Sequence, residues 1–185
     1  FNPNECVCMK TEGDDNVSAL GRFNEKLGKV LPITEHFEAM GIKPLNLEQQ
    51  FAFDLLLDDN VNLVTLIGQA GTGKTLIALA AGLQRVIGRK PRYEKLLVAR
   101  PIVPLGRDIG YLPGSKDQKL NFWMQPIFDN LQFILRDKAK NKENDHGDAN
   151  NGNGNGRPDK IDYLIEKGFI EIEAITYIRG RSIPN

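Results

Sequence analysis

The stretch VNLVTLIGQAGTGKT at residues 61–75 decides the fold class of this chain. Residues 61–67 are almost wholly apolar, as a buried parallel strand requires. A glycine-rich segment follows at once, and apolar residues at helical spacing come after it. Strand, glycine-rich turn and helix in direct succession predict an α/β protein in which helices flank a parallel sheet.

The glycine-rich segment matches the pattern G-x-x-x-x-G-K-T of phosphate-binding loops. Its members are Gly68, Gln69, Ala70, Gly71, Thr72, Gly73, Lys74 and Thr75. Glycines are needed because the backbone must wrap a phosphate with its N–H groups pointing inward. The lysine can place an ammonium group against the β- and γ-phosphates, and the threonine hydroxyl can hold Mg²⁺. We therefore predict a nucleotide site here, with Lys74 and Thr75 as catalytic residues.

A helix is predicted before this loop. Asn46 can cap it, and Leu47, Phe51 and Leu55 then fall on one side. Gln49 has two interpretations that the residues leave open. At the third helical position it can close a capping box. Alternatively, Leu45, Asn46 and Gln49 resemble the L-N-x-x-Q motif of superfamily one helicases, in which the glutamine contacts adenine.

Four more elements are predicted after the loop. They are a helix through Leu76, Ala80, Leu83 and Ile87 that stops at Gly88, a buried strand at 96–99, a helix through Trp123, Ile127, Leu131 and Ile134, and a strand at 169–175. The helical spacing of Trp123 favours core packing over base stacking.

The chain divides at about residue 44. Glycines and prolines interrupt residues 1–44, so we expect strands and loops that form a linker or the remnant of a preceding domain. Residues 45–185 are expected to form the N-terminal part of the nucleotide-binding domain. Within them, residues 138–160 are polar and rich in Asn and Gly, which predicts a disordered surface insertion.

The composition restricts the class of protein. Of 185 residues, 41% are hydrophobic and 26% charged, and no apolar run approaches the roughly 20 residues of a membrane span. Because the formal net charge is zero, nucleic-acid affinity would require a local patch. The spacing of Cys6 and Cys8 suits neither a disulfide framework nor a four-ligand zinc site. No secretory signal opens the chain, so we expect a cytoplasmic protein without membrane partners.

Five stretches together resemble PhoH-like ATPases, in particular the branch whose ATPase domain follows a PIN-type ribonuclease domain. They are LNLEQQFAFDLLL at 45–57, GQAGTGKT at 68–75, VARPIVPLGRDIGYLPG at 98–114, WMQPIFDNL at 123–131 and ITYIRGRSIPN at 175–185. The resemblance implies a P-loop NTPase with a RecA-like core of the superfamily one type. It also implies ATP hydrolysis with Mg²⁺, coupling to RNA unwinding or processing, and ring assembly in at least some members.

Three arginines are candidate contacts to single-stranded RNA. Arg100 corresponds in position to the helicase segment that touches nucleic acid, and its guanidinium could bind a phosphate. It could equally bind carbonyl groups of the proline-rich loop that follows. Arg179 and Arg181 have the same two interpretations.

The sequence departs from the family pattern at its end. A hydrophobic strand that ends in Asp-Glu, the Walker B element, is expected directly after Asn185, and the arginine finger also lies outside this sequence. Because Phe1 also replaces an initiator methionine, we expect an incomplete domain from a longer protein, with weak or no ATP hydrolysis by this chain alone. A regulatory or assembly ATPase and a P-loop phosphotransferase remain alternatives.

Overall fold

The computed structural model describes residues 1–12, 14–33, 37–101, 124–136 and 160–175. The chain is mixed α/β. Its elements in chain order are β1 (Cys6–Thr11), β2 (Asp14–Asn24), β3 (Lys29–Pro32), α1 (Leu47–Leu56), α2 (Lys74–Ile87), β4 (Leu96–Arg100), α3 (residues 124–136), α4 (Lys160–Glu166) and β5 (Ile170–Ala174).

The first of two compact units comprises residues 1–38 and 43–66. Its sheet is an antiparallel meander in the order β1-β2-β3. Gly21 lies in β2 where an added Cβ would come within 2.5 Å of Val30 Cγ1 on β3, so the two strands approach closely at this position. Arg22 on β2 forms ion pairs with Asp54 and Asp58, which joins the sheet to the helical part of this unit.

Helix α1 begins as predicted, because the Asn46 side chain accepts a hydrogen bond from the N–H of Gln49 at 2.9 Å. Burial on α1 does not follow the side that carries Leu47, Phe51 and Leu55. Ala52 and Phe53 are buried, whereas Leu47 is 43% exposed. Apolar residues lie on more than one side of α1, so the pattern alone did not decide its rotation.

The second unit comprises residues 39–42 and the chain from residue 67 onward. Strands β4 and β5 are parallel and run in register from Leu96 opposite Ile170 to Arg100 opposite Ala174. Helix α2 packs closely on β4, because a Cβ on Gly82 would lie 2.7 Å from Leu96 Cδ1. The predicted parallel sheet with flanking helices is therefore present.

The core of the second unit is built from apolar side chains of three helices and β5. Its most deeply buried members include Ala80, Leu83, Met124, Leu131, Ile134 and Ile170. Both helices predicted downstream of the loop, α2 and α3, are thus confirmed, and so are the two predicted strands.

The prediction of a strand at residues 61–67 was wrong. The segment is outside any ladder, and Leu63 and Ile67 are 85% and 92% exposed. A strand needs a neighbour that pairs with its N–H and C=O groups. Within the described residues, β4 and β5 pair with each other and no strand pairs with this segment.

Several predictions fall outside the described residues. These are Trp123, Arg179, Arg181 and residues 138–159 of the predicted insertion, whose last residue, Lys160, already belongs to α4. In the part of the chain that is described, none of the helices has both the length and the apolar composition needed to cross a bilayer.

Candidate phosphate-binding site

The loop at residues 68–75 leads directly into α2. Gly71 and Gly73 have φ angles of 81° and 79°, which L side chains rarely adopt. Gly73 is also the N-cap of α2 and provides no side chain to bond the first-turn N–H groups. These groups are the usual donors to anions at a helix N-terminus.

The loop glycines are required for different reasons. At Gly71 an added Cβ would meet no atom within 4 Å, so only the positive φ angle demands glycine there. At Gly68 an added Cβ would lie 3.4 Å from Thr72 Oγ1 and 4.0 Å from Lys74 Nζ. A side chain longer than alanine at Gly68 would therefore compete with the ammonium group for space.

Lys74, the first residue of α2, folds back over the loop. Its Nζ donates hydrogen bonds to the carbonyl oxygens of Gly68, at 2.9 Å, and Gln69, at 2.5 Å, and to Thr72 Oγ1, at 3.1 Å. All three donors of the ammonium are used. The first turn of α2 contains no acidic residue. No carboxylate of that turn therefore neutralises the Lys74 ammonium beside the N–H groups of the helix start.

Thr75 follows Lys74 in the first turn of α2 and is exposed. A hydroxyl oxygen is a suitable ligand for Mg²⁺, which usually keeps several waters and takes its remaining ligands from phosphates and one or two carboxylates. The position and the donor type of Thr75 therefore fit a magnesium ion bound together with a phosphate.

Gln49 makes a local structural contact that differs by one residue from the capping box allowed by the sequence. Its Oε1 accepts a hydrogen bond from the N–H of Leu45 at 2.7 Å, one residue before the N–H that a capping box uses. Gln49 belongs to the first unit, whereas the loop at 68–75 belongs to the second. Its contact with adenine stays a prediction.

Arg100 is the last residue of β4 and lies opposite Ala174 at the carboxyl edge of the parallel pair. Ligands of open α/β sheets usually bind at this edge. The structure thus brings Gly68, Gln69, Thr72 and Lys74 into direct contact and leaves the role of Arg100 a prediction.

The first unit contains a charged cluster that was not predicted from the sequence. Arg22 forms ion pairs with Asp54 at 3.0 Å and Asp58 at 2.5 Å, and it donates a hydrogen bond to Asn4 Oδ1 at 3.3 Å. Burial raises the pKa of Asp58, but hydrogen bonds from Arg22 and Asn60 outweigh it, so the net pKa is lowered. The available signal was the spacing of Asp54 on the predicted helix and Asp58, which lies four residues later at the end of that helix.

Burial also raises the pKa of the nearby Cys6 thiol, and the negative charge of Asp54 adds to this effect. Cys6 is half-buried, and Cys8 is exposed. A raised pKa keeps the Cys6 thiol protonated and hence less reactive.

Comparisons with known proteins bear on the same residues. The family described as PhoH-like protein matches residues 41–185. Protein PhoH2 of Bacillus subtilis (strain 168) is 47% identical over 190 aligned residues, which cover 100% of this chain and 38% of the relative. Protein PhoH2 of Mycolicibacterium smegmatis is 37% identical, with 89% of this chain and 33% of the relative covered.

A PhoH-like protein of Synechocystis is 32% identical over 64% of this chain and 29% of its own length. The chain thus spans between 29% and 38% of the length of these relatives. None of the solved structures matches it significantly. By the extent of the family match and the identity to its relatives, the chain belongs to the PhoH-like protein family.

Proposed function

We propose that this chain forms the nucleotide-binding part of an ATPase, and that the whole protein uses ATP hydrolysis to unwind or process RNA. The observation that supports ATP binding best is the Lys74 ammonium, held at the start of α2 over a loop with two positive-φ glycines. Membership of the PhoH-like family supports the same assignment.

The residues of the loop would act together on the triphosphate. Their backbone N–H groups would donate to phosphate oxygens. Lys74 would exchange its bonds to the carbonyls of Gly68 and Gln69 for bonds to the β- and γ-phosphates. This exchange favours binding because hydrogen bonds between two charged groups are stronger than bonds to a neutral carbonyl. On transfer of the γ-phosphoryl group, the same donors would stabilise the developing charge.

Two further residues would complete the nucleotide site. Thr75 would hold Mg²⁺ through its hydroxyl, and Mg²⁺ would supply charge neutralisation on the phosphate oxygens. Gln49 would recognise adenine, as the resemblance to superfamily one helicases implies.

The RNA part of the proposal rests on the family and on the carboxyl edge of the sheet. Arg100 would bind an RNA phosphate at this edge, and Arg179 and Arg181 would add to the contact. The parallel sheet with flanking helices is compatible with a RecA-like core. The longer protein would carry the Walker B element, could assemble into a ring in the cytoplasm, and would present RNA to a PIN ribonuclease domain.

The nucleotide assignment is tested by Lys74→Ala in the full-length protein. We expect ATP turnover to fall by on the order of a hundredfold or more, as on loss of a preorganised charge-stabilising donor. Lys95→Ala is the matched control, because Lys95 is exposed and lies in the same unit. Unchanged turnover in Lys74→Ala would refute the assignment.

The RNA assignment has a separate test. We expect single-stranded RNA to stimulate the ATPase activity of the full-length protein, and increasing salt to abolish this stimulation steeply. Turnover that RNA leaves unchanged would favour a regulatory or assembly ATPase. Phosphate transferred to an acceptor other than water would identify a phosphotransferase.

A further inference from the structure

The segment after α2 concentrates positive charge in a chain whose formal net charge is zero. Residues 85–95 hold five basic side chains and one acidic side chain, so this segment carries +4 and the rest of the chain −4. Lys95 at its end is paired with Glu171 at 2.7 Å. We define the basic loop as the consecutive residues 89–93, which read RKPRY and are all exposed.

Backbone hydrogen bonds hold the basic loop against the end of α2. The carbonyl oxygen of Arg85, in the last turn, accepts bonds from the N–H groups of Arg92 at 2.7 Å and Tyr93 at 3.1 Å. The Tyr93 side chain is 56% exposed. The loop thus presents an aromatic ring together with three exposed cations, on a backbone that is anchored in place.

The basic loop lies far from both proposed ligand sites. Helix α2 has 14 residues, so about 21 Å separate its N-terminal phosphate loop from its C-terminal end. The basic loop also precedes Leu96, the first residue of β4, whereas Arg100 ends that strand about 13 Å away. These cations therefore belong to a surface of their own.

Helix stability accounts for part of the charge but not for the loop. Cations stabilise a helix C-terminus through the macrodipole, and the effect falls off within the last turn. Arg85 lies in that turn. Arg89, Lys90 and Arg92 follow the C-cap residue Gly88 and so lie outside the helix itself.

We infer that the basic loop binds single-stranded RNA. Arg89, Lys90 and Arg92 bind its phosphates, and Tyr93 stacks on a base. Proteins that bind single strands combine cations along the backbone with aromatic rings on which bases stack. A duplex hides the faces of its bases, so the exposed ring favours single strands. The inference rests on the proposed function for the choice of RNA.

Binding of a fluorescent twelve-nucleotide oligouridine to the full-length protein, followed by anisotropy without nucleotide, tests this inference. The triple variant Arg89→Ala/Lys90→Ala/Arg92→Ala should bind on the order of tenfold more weakly at 100 mM salt. The slope of log affinity against log salt should decrease by about 2, since each phosphate contact on a single strand contributes about 0.7. Tyr93→Ala should lower the affinity about tenfold, and Tyr93→Phe should preserve it.

The matched control is Lys10→Ala/Lys26→Ala/Lys29→Ala, which removes three exposed charges from the first unit. Its affinity for oligouridine should stay at the wild-type value. ATP turnover without RNA should be normal in the basic-loop variants, which shows that they fold.

Each other outcome overturns the inference in a recognisable way. If the wild type binds oligouridine and the triple variant binds it equally well, the basic loop is not the site and the proposed function stands. If the wild type does not bind oligouridine, both this inference and the proposed RNA function fail. If the triple variant loses binding to anionic phospholipid vesicles but keeps its RNA affinity, the basic loop binds a lipid surface instead. If the triple variant loses affinity equally for single-stranded and duplex RNA, and Tyr93→Ala leaves RNA affinity unchanged, base stacking is excluded.

Discussion

The two ends of α2 present positive charge by different physical means. At its N-terminus, two glycines with positive φ angles shape the loop, and Lys74 is fixed by three hydrogen bonds. At its C-terminus, charge comes from exposed side chains of the basic loop, whose backbone is hydrogen-bonded to Arg85. Positive charge at the N-terminal end thus depends on backbone geometry, whereas at the C-terminal end it depends on amino-acid composition.

This difference determines which kind of ligand each end of α2 can bind. A preorganised loop with short-range donors selects one group of fixed shape, such as a phosphate chain. Exposed cations on flexible side chains act over about a Debye length and tolerate many arrangements of a polymer. Backbone substitutions should therefore change phosphate binding at the N-terminal end, and salt should change RNA binding at the C-terminal end.

The largest expected effect is on the helix that connects the two ends. Gly82 lies against Leu96 of β4, where even a Cβ would come within 2.7 Å. Gly82→Val should lower the stability of α2 by about 1–3 kcal/mol through overpacking. Because both ends belong to one helix, phosphate and RNA affinities should fall together.

Hydrogen exchange of peptides that cover α2 in the full-length protein measures this loss. Gly82→Ala is the milder comparison, because the Leu96 side chain can rotate away from a single methyl group and the helix gains propensity. If Gly82→Val impairs one ligand alone, the two ends are energetically separate.

A backbone substitution at the N-terminal end comes next in size. Gly71→Ala creates no steric contact but forces alanine to φ near 81°, which costs on the order of 1–2 kcal/mol. We expect nucleotide affinity to decrease about tenfold, measured by titration with a fluorescent ATP analogue. RNA affinity without nucleotide should stay constant.

Gly168→Ala is the matched control for this substitution. Gly168 lies in the same unit, has φ of 75°, and has equal space for a Cβ. It should carry a similar backbone cost and leave nucleotide affinity unchanged. A decrease of affinity in both variants would mean that general destabilisation is responsible.

Much of the second unit could be predicted from the sequence, because its signals are local. The spacing of Ala80 and Leu83 fixed one helix, and the apolar runs at 96–99 and 169–175 fixed two strands that pair in parallel. The loop was identified for the same reason, since eight consecutive residues specify it. The shared function of those residues stays a prediction.

The remainder depends on distant contacts. Residues 61–67 look like a buried strand, yet pairing requires a partner that apolar composition does not specify, and Leu63 and Ile67 are exposed. The ion pair between Arg22 and Asp54 joins residues that are 32 positions apart in sequence, and no local pattern specifies it. The basic loop was overlooked because net charge averages a local excess away.

The smallest expected effect concerns the ion-paired charge of Arg22, which is partly buried, in contrast to the exposed cations of the basic loop. The folded pKa of Asp58 is lowered, so its contribution to stability is present above the unfolded pKa near 3.8 and is lost as pH falls through the lower folded value. Asp58→Asn should therefore destabilise α1 at pH 7 by less than about 1 kcal/mol, the range of exposed ion pairs. The difference from wild type should shrink below pH 3.8 and be lost at a pH below the folded pKa of Asp58.

Hydrogen exchange of α1 amides, corrected for the intrinsic rate at each pH, measures this difference. Glu25→Gln removes an exposed carboxylate from the same unit and should leave α1 unchanged at both pH values. A penalty for Asp58→Asn that is independent of pH would show that packing, and not charge, holds α1 on Arg22. In that event the contrast between a paired arginine of the first unit and the solvent-facing cations after α2 would lose its electrostatic basis.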